Sequence, residues 1–201
     1  MSTDGSRSPR PKTLAPEAIL VQGVVNDALF DLFKERKIKE VVILEGRPSL
    51  EAARQNCREL VKRKIKPVLI ADNMAGFLFF KNCVKEVWLS YYEVDKNGAL
   101  CDIGASILGV LAKQHKLPVN LFPAAGKPRI VGKEKELFFF NGERVAPPKI
   151  KGYVPLTERL AEKYITKIYS HSEPRLGGAQ NLDKKNEILR SFGAQDDKWN
   201  T

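Results

Sequence analysis

The sequence predicts an α/β fold in which helices cover both faces of a mostly parallel sheet. Short apolar runs rich in β-branched residues, such as Glu40 to Leu44 and Lys66 to Ile70, alternate with segments whose apolar residues recur at helical spacing. Strands and helices that alternate at such short intervals form parallel sheets through right-handed crossovers. Both runs end at polar turns, Glu45-Gly46-Arg47-Pro48 and Asp72-Asn73, and ligands of such sheets bind beyond the carboxyl ends of the strands.

Composition and charge favour one globular domain with a basic surface. The 201 residues are 43% apolar and 29% charged, which is enough for a single core. We expect this domain to span residues 17–172, between a disordered basic tail at residues 1–16 and a flexible tail at residues 173–201 with a short helix near 184–192. The net charge is +10, but Lys and Arg alternate with Glu and Asp along most predicted helices. This pattern favours a solvated basic surface over a nucleic-acid interface.

The three cysteines, Cys57, Cys83 and Cys101, indicate neither a disulfide framework nor a zinc site, because their number is odd and no CxxC spacing occurs. A reducing compartment is expected for such a chain. No apolar stretch reaches the length of a membrane span, and the N-terminus lacks the hydrophobic region of a secretory signal. We therefore expect a cytoplasmic protein that does not bind membranes.

Strands and helices alternate through the first half of the chain. The run at residues 18–21 is short enough for a strand, although its periodicity does not separate a strand from a helix, and a helix is predicted from Val24 to Glu35. The strand Glu40 to Leu44 leads to an amphipathic helix from Glu51 to Lys64, with Ser49 as its expected N-cap. The residues of this helix expected to face the core are Ala52, Cys57, Leu60 and Val61.

The second half of the chain continues the alternation. A short apolar helix is predicted at Met74 to Asn82, followed by a third strand at Glu86 to Ser90 and a turn at Asn97-Gly98. A long helix is then predicted at Gly104 to Lys116, and a fourth strand at Pro118 to Phe122. The residues expected to pack the long helix are Ile107, Leu108, Val110 and Leu111. The run Leu137 to Phe140 predicts either a strand buried within the fold or a strand at an interface.

Several short motifs follow one another in a fixed order. They are Glu45-Gly46-Arg47-Pro48 with Arg54, Leu69 to Ala75, Asn97-Gly98, Ile103-Gly104, Leu111 to Pro118, Glu143 to Pro147 and Gly152 to Thr157. In this order they resemble the carboxyl-terminal, Rossmann-like domain of the initiation factor 2B alpha/beta/delta family, over about residues 17 to 172. That family includes methylthioribose-1-phosphate isomerase and ribose-1,5-bisphosphate isomerase. The resemblance implies a last helix that ends near Tyr169, and dimerisation through this domain.

Three positions depart from the pattern of the isomerases in that family. Their cysteine at the end of the first strand falls within Val21-Gln22-Gly23-Val24, and Tyr92 replaces the aspartate of their Gly-Ala-Asp turn. Their Asn-Lys pair corresponds to Cys101-Asp102. A tyrosine, with an ordinary pKa of about 10, is a poor base at neutral pH, and an aspartate repels a phosphate. The resemblance also implies an amino-terminal helical domain that closes the crevice; we expect this chain to lack it, unless a partner chain supplies it.

Arg47 and Arg54 are the candidates for binding a phosphate, because a guanidinium group presents two parallel donors to phosphate oxygens. The resemblance places the equivalent arginines near the substrate phosphate of the isomerases. The alternative is that Arg47 forms a structural ion pair with Glu45 or Glu51, and a carboxylate at Glu51 weakens anion binding.

Further polar residues are expected to line the crevice. They are Glu45, Glu51, Asp72, Asn73, Tyr92 and Asp102, of which Asp72 and Asn73 are also suited to cap the next helix. No catalytic residue, metal site or cofactor is assigned. Glu93, Asp95 and Asp102 lack the spacing of a calcium loop and are interpreted as solvated turn residues, and His115 and His171 are too isolated to form a metal site. Trp199 is either an anchor for a partner or an incidental terminal aromatic residue.

Three functions are open on this basis. The first is a non-catalytic member of the initiation factor 2B-like family that acts through self-association and partner binding, as a homodimer or a hetero-oligomer with related subunits, and that senses a phosphorylated sugar or a nucleotide. The second is a divergent aldose-ketose isomerase of sugar phosphates. The third is a basic nucleic-acid-binding module, for which the sequence carries no recognised motif. We favour the first.

Overall fold

Strands and helices follow one another along residues 18–170, the part of the chain that the structure, a computed structural model, describes. The strands are β1 (Ala18–Gln22), β2 (Glu40–Leu44), β3 (Lys66–Ile70), β4 (Val84–Asp95), β5 (Gly98–Asp102), β6 (Val119–Pro123), β7 (Phe139–Phe140), β8 (Glu143–Arg144), β9 (Thr157–Ala161) and β10 (Lys167–Ile168). The helices are α1 (Asp27–Glu35), α2 (Glu51–Lys62), α3 (Ala75–Phe80), α4 (Ala105–Gln114) and α5 (Glu134–Phe138). The predicted tails, with His171 and Trp199, lie outside the described residues.

Eight of these strands pair in one sheet. Its order is β10-β6-β4-β1-β2-β3 with every neighbouring pair parallel, and β5 and β9 extend it as antiparallel strands from the second half of β4. The strand order reverses between β1 and β4, because the chain proceeds from β1 to β3 on one side and returns to β4 on the other. Such a reversal opens a crevice between the two adjacent loops. The predicted α/β fold class is confirmed, and residues 18–22 form a strand.

Both faces of the sheet are covered, which explains why β1 and β2 are apolar throughout. Successive residues of a strand point to opposite faces. In β1, Ile19 and Val21 therefore contact a core formed with α1, α2, Trp88 and Phe122. Leu20 contacts the other core, formed with α3, α4 and Leu160. The sheet is thus the middle of three layers.

Two helices expose large apolar residues that the sequence predicted to face the core. In α2 the buried side chains are Ala53, Asn56 and Leu60, so Val61, one position further around the helix, is 63% exposed. In α4 the face toward the sheet is made of small residues, since a Cβ on Gly109 would come within 2.7 Å of Leu160 Cδ1. This close approach turns Ile107 and Val110 to the outer surface, which corrects their predicted packing role.

The third predicted strand is longer than expected. β4 continues past Ser90 to Asp95 and folds back through Lys96-Asn97 onto β5, so the segment Ser90 to Glu93 is a strand and not a turn. The pairing of β4 with β5 shifts register between Tyr91 and Glu93. Tyr92 therefore lies at a β-bulge, an irregularity that redirects a side chain and is frequent beside functional sites.

The structure narrows one prediction for the last third of the domain and contradicts another. Leu137 and Phe138 end the short helix α5, and Phe139 and Phe140 form the two-residue strand β7, paired with β8, with both rings at least 40% exposed. This excludes burial within the fold and leaves the interface alternative open. The last helix implied near Tyr169 is absent from the described residues, because β9 and β10 occupy this segment and add to the sheet. No helix between residues 18 and 170 has the length and apolarity needed to cross a membrane.

One polar cluster is embedded at the edge of the α1 core. Glu86 accepts hydrogen bonds from Arg36 Nη1 at 3.0 Å, Trp88 Nε1 at 2.9 Å and Asn120 Nδ2 at 3.2 Å. Burial alone raises the pKa of Glu86, but the hydrogen bonds from Arg36 and Trp88 outweigh it and lower the pKa overall. The ionised carboxylate is therefore bound more favourably in the folded chain than in the unfolded one.

We expect Arg36→Met to lower the free energy of unfolding by about 2 kcal/mol at neutral pH, between the values typical of exposed and of buried ion pairs. A lowered carboxyl pKa stabilises the fold above the ordinary value of 4.5, and this contribution is lost as the pH falls through the folded-state pKa. Urea melts at several pH values should therefore show the difference from wild type shrinking in acid. Arg58→Met, on the exposed side of α2, is the control; an equal loss in both variants would contradict the ion pair's role.

Candidate functional site

A cavity of about 220 Å³ lies at the carboxyl ends of the strands, where the strand order reverses. Its wall is formed by the loops that follow β1, β2, β5 and β6 and by the start of α2. The lining residues that carry a charge or a titratable hydroxyl are Arg47, Glu51, Tyr92, Asp102, Lys127 and Arg129. The crevice expected from the sequence is therefore present as a partly open cavity with both cationic and acidic groups.

The loop after β1 is held by a buried amide. Asn56 on α2 is 1% exposed, and it donates to the carbonyl of Gly23 at 2.8 Å while accepting from the backbone N–H of Val25 at 3.2 Å. On the opposite side, Gln22 Nε2 donates to the carbonyl of Ile103 at 2.7 Å. The sequence analysis assigned no role to either amide, although Gln22 directly follows an apolar strand. Together they fix the floor of the cavity.

The loop after β2 is held by Asp72. Its two carboxylate oxygens accept from the backbone N–H groups of Gly46 at 2.9 Å and Arg47 at 2.8 Å. The 3₁₀ turn that contains Asp72 and Asn73 has no side-chain cap, so the expected capping role is wrong. Asp72 instead fixes the backbone that carries Arg47. Asp72, Asn73 and Glu45 do not line the cavity.

Arg47 points its guanidinium toward the small hairpin. Its Cζ lies 4.9 Å from the centre of the Phe140 ring, a cation–π distance, and neither Glu45 nor Glu51 forms an ion pair with it among the described residues. The alternative of a structural ion pair is therefore not what the structure shows. Arg54 lies on the exposed side of α2 and does not line the cavity. It lines a neighbouring groove, which Arg47 also lines.

Tyr92 and Asp102 contact each other at the floor of the cavity. The Tyr92 hydroxyl donates to Asp102 Oδ1 at 2.8 Å. Burial raises the pKa of Asp102, the hydrogen bond from Tyr92 opposes this rise, and the charge of Glu51 adds to it. Burial and the Asp102 charge raise the pKa of Tyr92 far above its ordinary value, so the phenol stays protonated. Asp102 is thus a half-buried carboxyl with a raised pKa, and not the solvated turn residue expected.

Cys101 does not supply a nucleophile. It is 1% exposed, and burial, with the charges of Asp102 and Glu158 as lesser causes, raises the pKa of its thiol to about 12. A thiol with this pKa is almost entirely protonated at neutral pH, and the thiolate is the reactive form. Cys101 is therefore a structural residue of β5.

Lys127 and Arg129 were missed by the sequence analysis. They follow β6 in the segment Ala124 to Arg129, so their position after a buried strand is the same signal that identified Arg47. Arg129 faces Glu51 at 4.0 Å and Glu136 at 3.4 Å, whereas Lys127 has no ion pair within residues 18–170. Glu93 and Asp95, which were interpreted as solvated turn residues, lie on β4 and both pair with Arg159. The described residues contain no cluster of three metal-ligating side chains.

Comparison with known proteins identifies the relationship. The model of the initiation factor 2 subunit family matches residues 17–171. The chain belongs to this family. Methylthioribose-1-phosphate isomerase from Carboxydothermus hydrogenoformans is 32% identical over 185 residues, covering 86% of this chain and 51% of that protein. The enzyme of the same name from Thermus thermophilus is 28% identical over 158 residues, covering 73% and 48% respectively.

Two solved structures have the same fold as this member of the initiation factor 2 subunit family. A 5-methylthioribose 1-phosphate isomerase from Pyrococcus horikoshii OT3 superposes with a TM-score of 0.70 at 22% identity, covering 90% of this chain and 56% of that one. The translation initiation factor eIF-2B subunit delta from A. fulgidus gives a TM-score of 0.67 at 22% identity, covering 77% and 52%. This chain spans about half the length of the relatives that it matches.

We expect the substitution Asp102→Asn to raise the free energy of unfolding of this chain at neutral pH. A carboxyl whose pKa is raised by folding contributes stability that is complete below its ordinary value of 3.8 and is lost as the pH rises through the folded-state pKa. The amide keeps an acceptor for Tyr92 and carries no charge. Thermal melts from pH 3 to 8 should show the gain of the variant growing with pH. The exposed Asp31→Asn serves as control, and a gain that is constant across this range would contradict the assignment.

Proposed function

We propose that the chain is a divergent aldose-ketose isomerase domain that acts on a phosphorylated sugar in this cavity. Two findings support the proposal. Relatives that align with most of this chain are named methylthioribose-1-phosphate isomerase. One cavity also brings together a carboxyl of raised pKa, Asp102, and the cations Arg47 and Lys127. The second finding carries the proposal, because it combines a proton carrier with groups that attract a phosphate.

The proposed reaction needs one group that moves a proton between neighbouring carbons. In an aldose-ketose interconversion, the carbon beside the carbonyl loses a proton, an enediol forms, and a proton returns to the former carbonyl carbon. A second proton moves between the two oxygens, so the overall change is an isomerisation. A general base works best when its pKa lies near the working pH, and burial moves Asp102 in that direction. We assign the carbon-to-carbon transfer to Asp102. We assign the transfer between oxygens to its partner Tyr92, which gives its phenol proton to the carbonyl oxygen and recovers a proton from the neighbouring hydroxyl, so that it is protonated before and after the reaction.

The phosphate is assigned to the cationic side of the cavity. The backbone N–H of Arg47 donates to Asp72, so the backbone that carries its guanidinium group is fixed before a ligand arrives. Lys127 adds a charge that no described carboxylate neutralises, while Arg129 is shared with Glu51 and Glu136. Glu51 also lines the cavity, but its side chain is 63% exposed, so solvent weakens its repulsion of an anion.

A turnover assay tests the isomerase proposal. The purified chain is incubated with methylthioribose-1-phosphate or ribose-1,5-bisphosphate, and the ketose product is detected. We expect Asp102→Asn to lower kcat at least about 100-fold, the usual contribution of a general base. Arg47→Ala should raise KM about tenfold, because it removes a charge-assisted hydrogen bond. Arg58→Ala, outside this cavity, is the control. Turnover that does not exceed buffer for either sugar, from protein shown to be folded, would contradict the proposal.

A second candidate is a non-catalytic member that acts by self-association and partner binding in the cytoplasm. The segment Val21 to Val24 lacks the cysteine that the resemblance places there in the isomerases, and this loss favours the candidate together with the changes at Tyr92 and Asp102. The helices α3 and α4 contact each other and expose large apolar residues, among them Phe77, Phe80 and Ile107. Contiguous exposed apolar surface is typical of protein interfaces. The comparisons support this candidate less well than the isomerase, because the named relatives are isomerases.

We expect self-association to depend on these apolar residues. Sedimentation velocity of the wild type should then show a dimer, or a complex with a related subunit, and Phe80→Glu should shift the distribution to the monomer. Val61→Glu is a matched control, since Val61 is similarly exposed but lies on α2. A strictly monomeric wild type at every concentration, with no complex when related subunits are added, would remove this candidate.

A further inference from the structure

Ser90 is a buried side chain that the fold leaves without a hydrogen-bond partner. It lies on β4, one residue beyond the pairing of Gln22 with Leu89, and is 2% exposed. Among the buried side-chain nitrogen and oxygen atoms of the described residues, Ser90 Oγ is the one without a hydrogen-bond partner. An unpaired buried hydroxyl costs free energy, so a position that keeps one calls for an explanation.

The Ser90 hydroxyl and the Asp102 carboxylate face the same point above Gly23. A Cβ built on Gly23 would lie 1.7 Å from Ser90 Oγ and 2.8 Å from Asp102 Oδ2. The hydroxyl therefore fills the space that any side chain at position 23 would need. Gly23 also has a φ of +85°, which favours glycine. The close approach of the two backbones brings a free donor near the second oxygen of the carboxylate.

We propose that Ser90 is a positioning residue, whose hydroxyl donates to Asp102 Oδ2 when that carboxyl is ionised. The proposal rests on the assignment of Asp102 as the proton carrier of the proposed isomerase. Oδ1 already accepts from Tyr92, so Oδ2 is the oxygen left to accept from Ser90. Within residues 18–170, no other hydrogen bond holds the Ser90 hydroxyl, and a change of its side-chain rotamer is the movement that brings Oγ to Oδ2.

Other donors on the floor of the cavity are already engaged. Gln22 Nε2 donates to Ile103, and Asn56 Nδ2 donates to Gly23. The negative charge of Glu51 disfavours ionisation of Asp102, and burial does so as well. A donor that is idle while Asp102 is protonated and engaged once it is ionised would offset part of this cost. On this proposal the Ser90 hydroxyl is unpaired while Asp102 is protonated and forms a hydrogen bond once Asp102 is ionised.

A titration of Asp102 tests the proposal without requiring turnover. The carboxyl carbon is followed by NMR against pH in the wild type, Ser90→Ala and Ser90→Thr. We expect Ser90→Ala to raise the apparent pKa of Asp102 by about one unit, because the ionised form loses a charge-assisted hydrogen bond. Ser90→Thr retains the hydroxyl and should stay near the wild type. The groups that titrate around Asp102, namely Glu51, Tyr92, Cys101 and Glu158, are the same in all three proteins.

The outcomes separate this inference from the proposed function. An unchanged Asp102 titration in Ser90→Ala, from a folded protein, overturns the positioning role whether or not the chain turns over a sugar. A shifted titration with no turnover in the wild type supports the role of Ser90 and contradicts the isomerase. Where turnover occurs, we expect Ser90→Ala to lower kcat with little change in KM, since Ser90 does not line the ligand space.

A stability cycle tests the steric part of the argument. Gly23→Ala should lower Tm strongly in the presence of Ser90, and less when Ser90 is replaced by glycine, because the 1.7 Å contact is then removed while the positive φ remains. Additive losses in the double variant would show that the two positions do not compete for space. Below the folded-state pKa of Asp102, Ser90→Ala should fold at least as well as the wild type, since it then removes an unpaired polar atom.

Discussion

The parallel pairing of β1 with β4 is the constraint on which the rest of the structure depends. These two strands are adjacent in the sheet but are separated in sequence by the excursion through β2 and β3. Their carboxyl ends therefore lead into loops that diverge, and a cavity remains between them. The same pairing forces the backbone of Gly23 against Ser90, which leaves no room for a side chain at the end of β1. The position of the cavity and the absence of a side chain at position 23 therefore have one physical origin.

Charge is distributed unevenly around this cavity. The acidic group at the floor, Asp102, is buried, so its ionisation is disfavoured and it responds strongly to the nearest donor. The cations at the sides are more open to solvent; Arg129, for example, is 48% exposed. Exposed cations attract an anion from a distance and are screened by salt, whereas a buried carboxyl acts at short range. This arrangement suits a ligand with a phosphate at one end and a neutral hydroxylated carbon at the other.

The sequence predicted the frame of the molecule well, because strand and helix periodicity depends on burial, and burial follows from local apolar patterns. The crevice beyond Leu44 and the order of α1, β2, α2, β3, α3, β4, α4 and β6 were predicted correctly, whereas β1 was left open between strand and helix and β5 was not predicted. The side of each helix that faces the sheet was harder to predict. Ile107 is exposed although it is apolar, since Gly109 and Ala112 let α4 approach β9 closely. Other features depend on contacts between segments that are distant in sequence, and a single sequence does not reveal such contacts. They are the bulge at Tyr92, the hydrogen bonds from the Arg47 loop to Asp72 and the position of Lys127 at the cavity.

The polar side chains at the floor of the cavity differ from those of the isomerases that the chain resembles, and this difference bears on whether the cavity still has a chemical function. Relative to the isomerases that the chain resembles, a carboxylate is lost at position 92 and another appears at position 102, and the two side chains touch. The segment Val21 to Val24 lacks the cysteine of the isomerases, and the hydroxyl of Ser90 lies against Gly23 in this segment. A cavity with no remaining function would be expected to fill with apolar side chains, because unpaired buried polar groups cost stability. Here the polar groups have changed positions within one small volume, and that pattern argues for a site whose chemistry has been rearranged rather than abandoned.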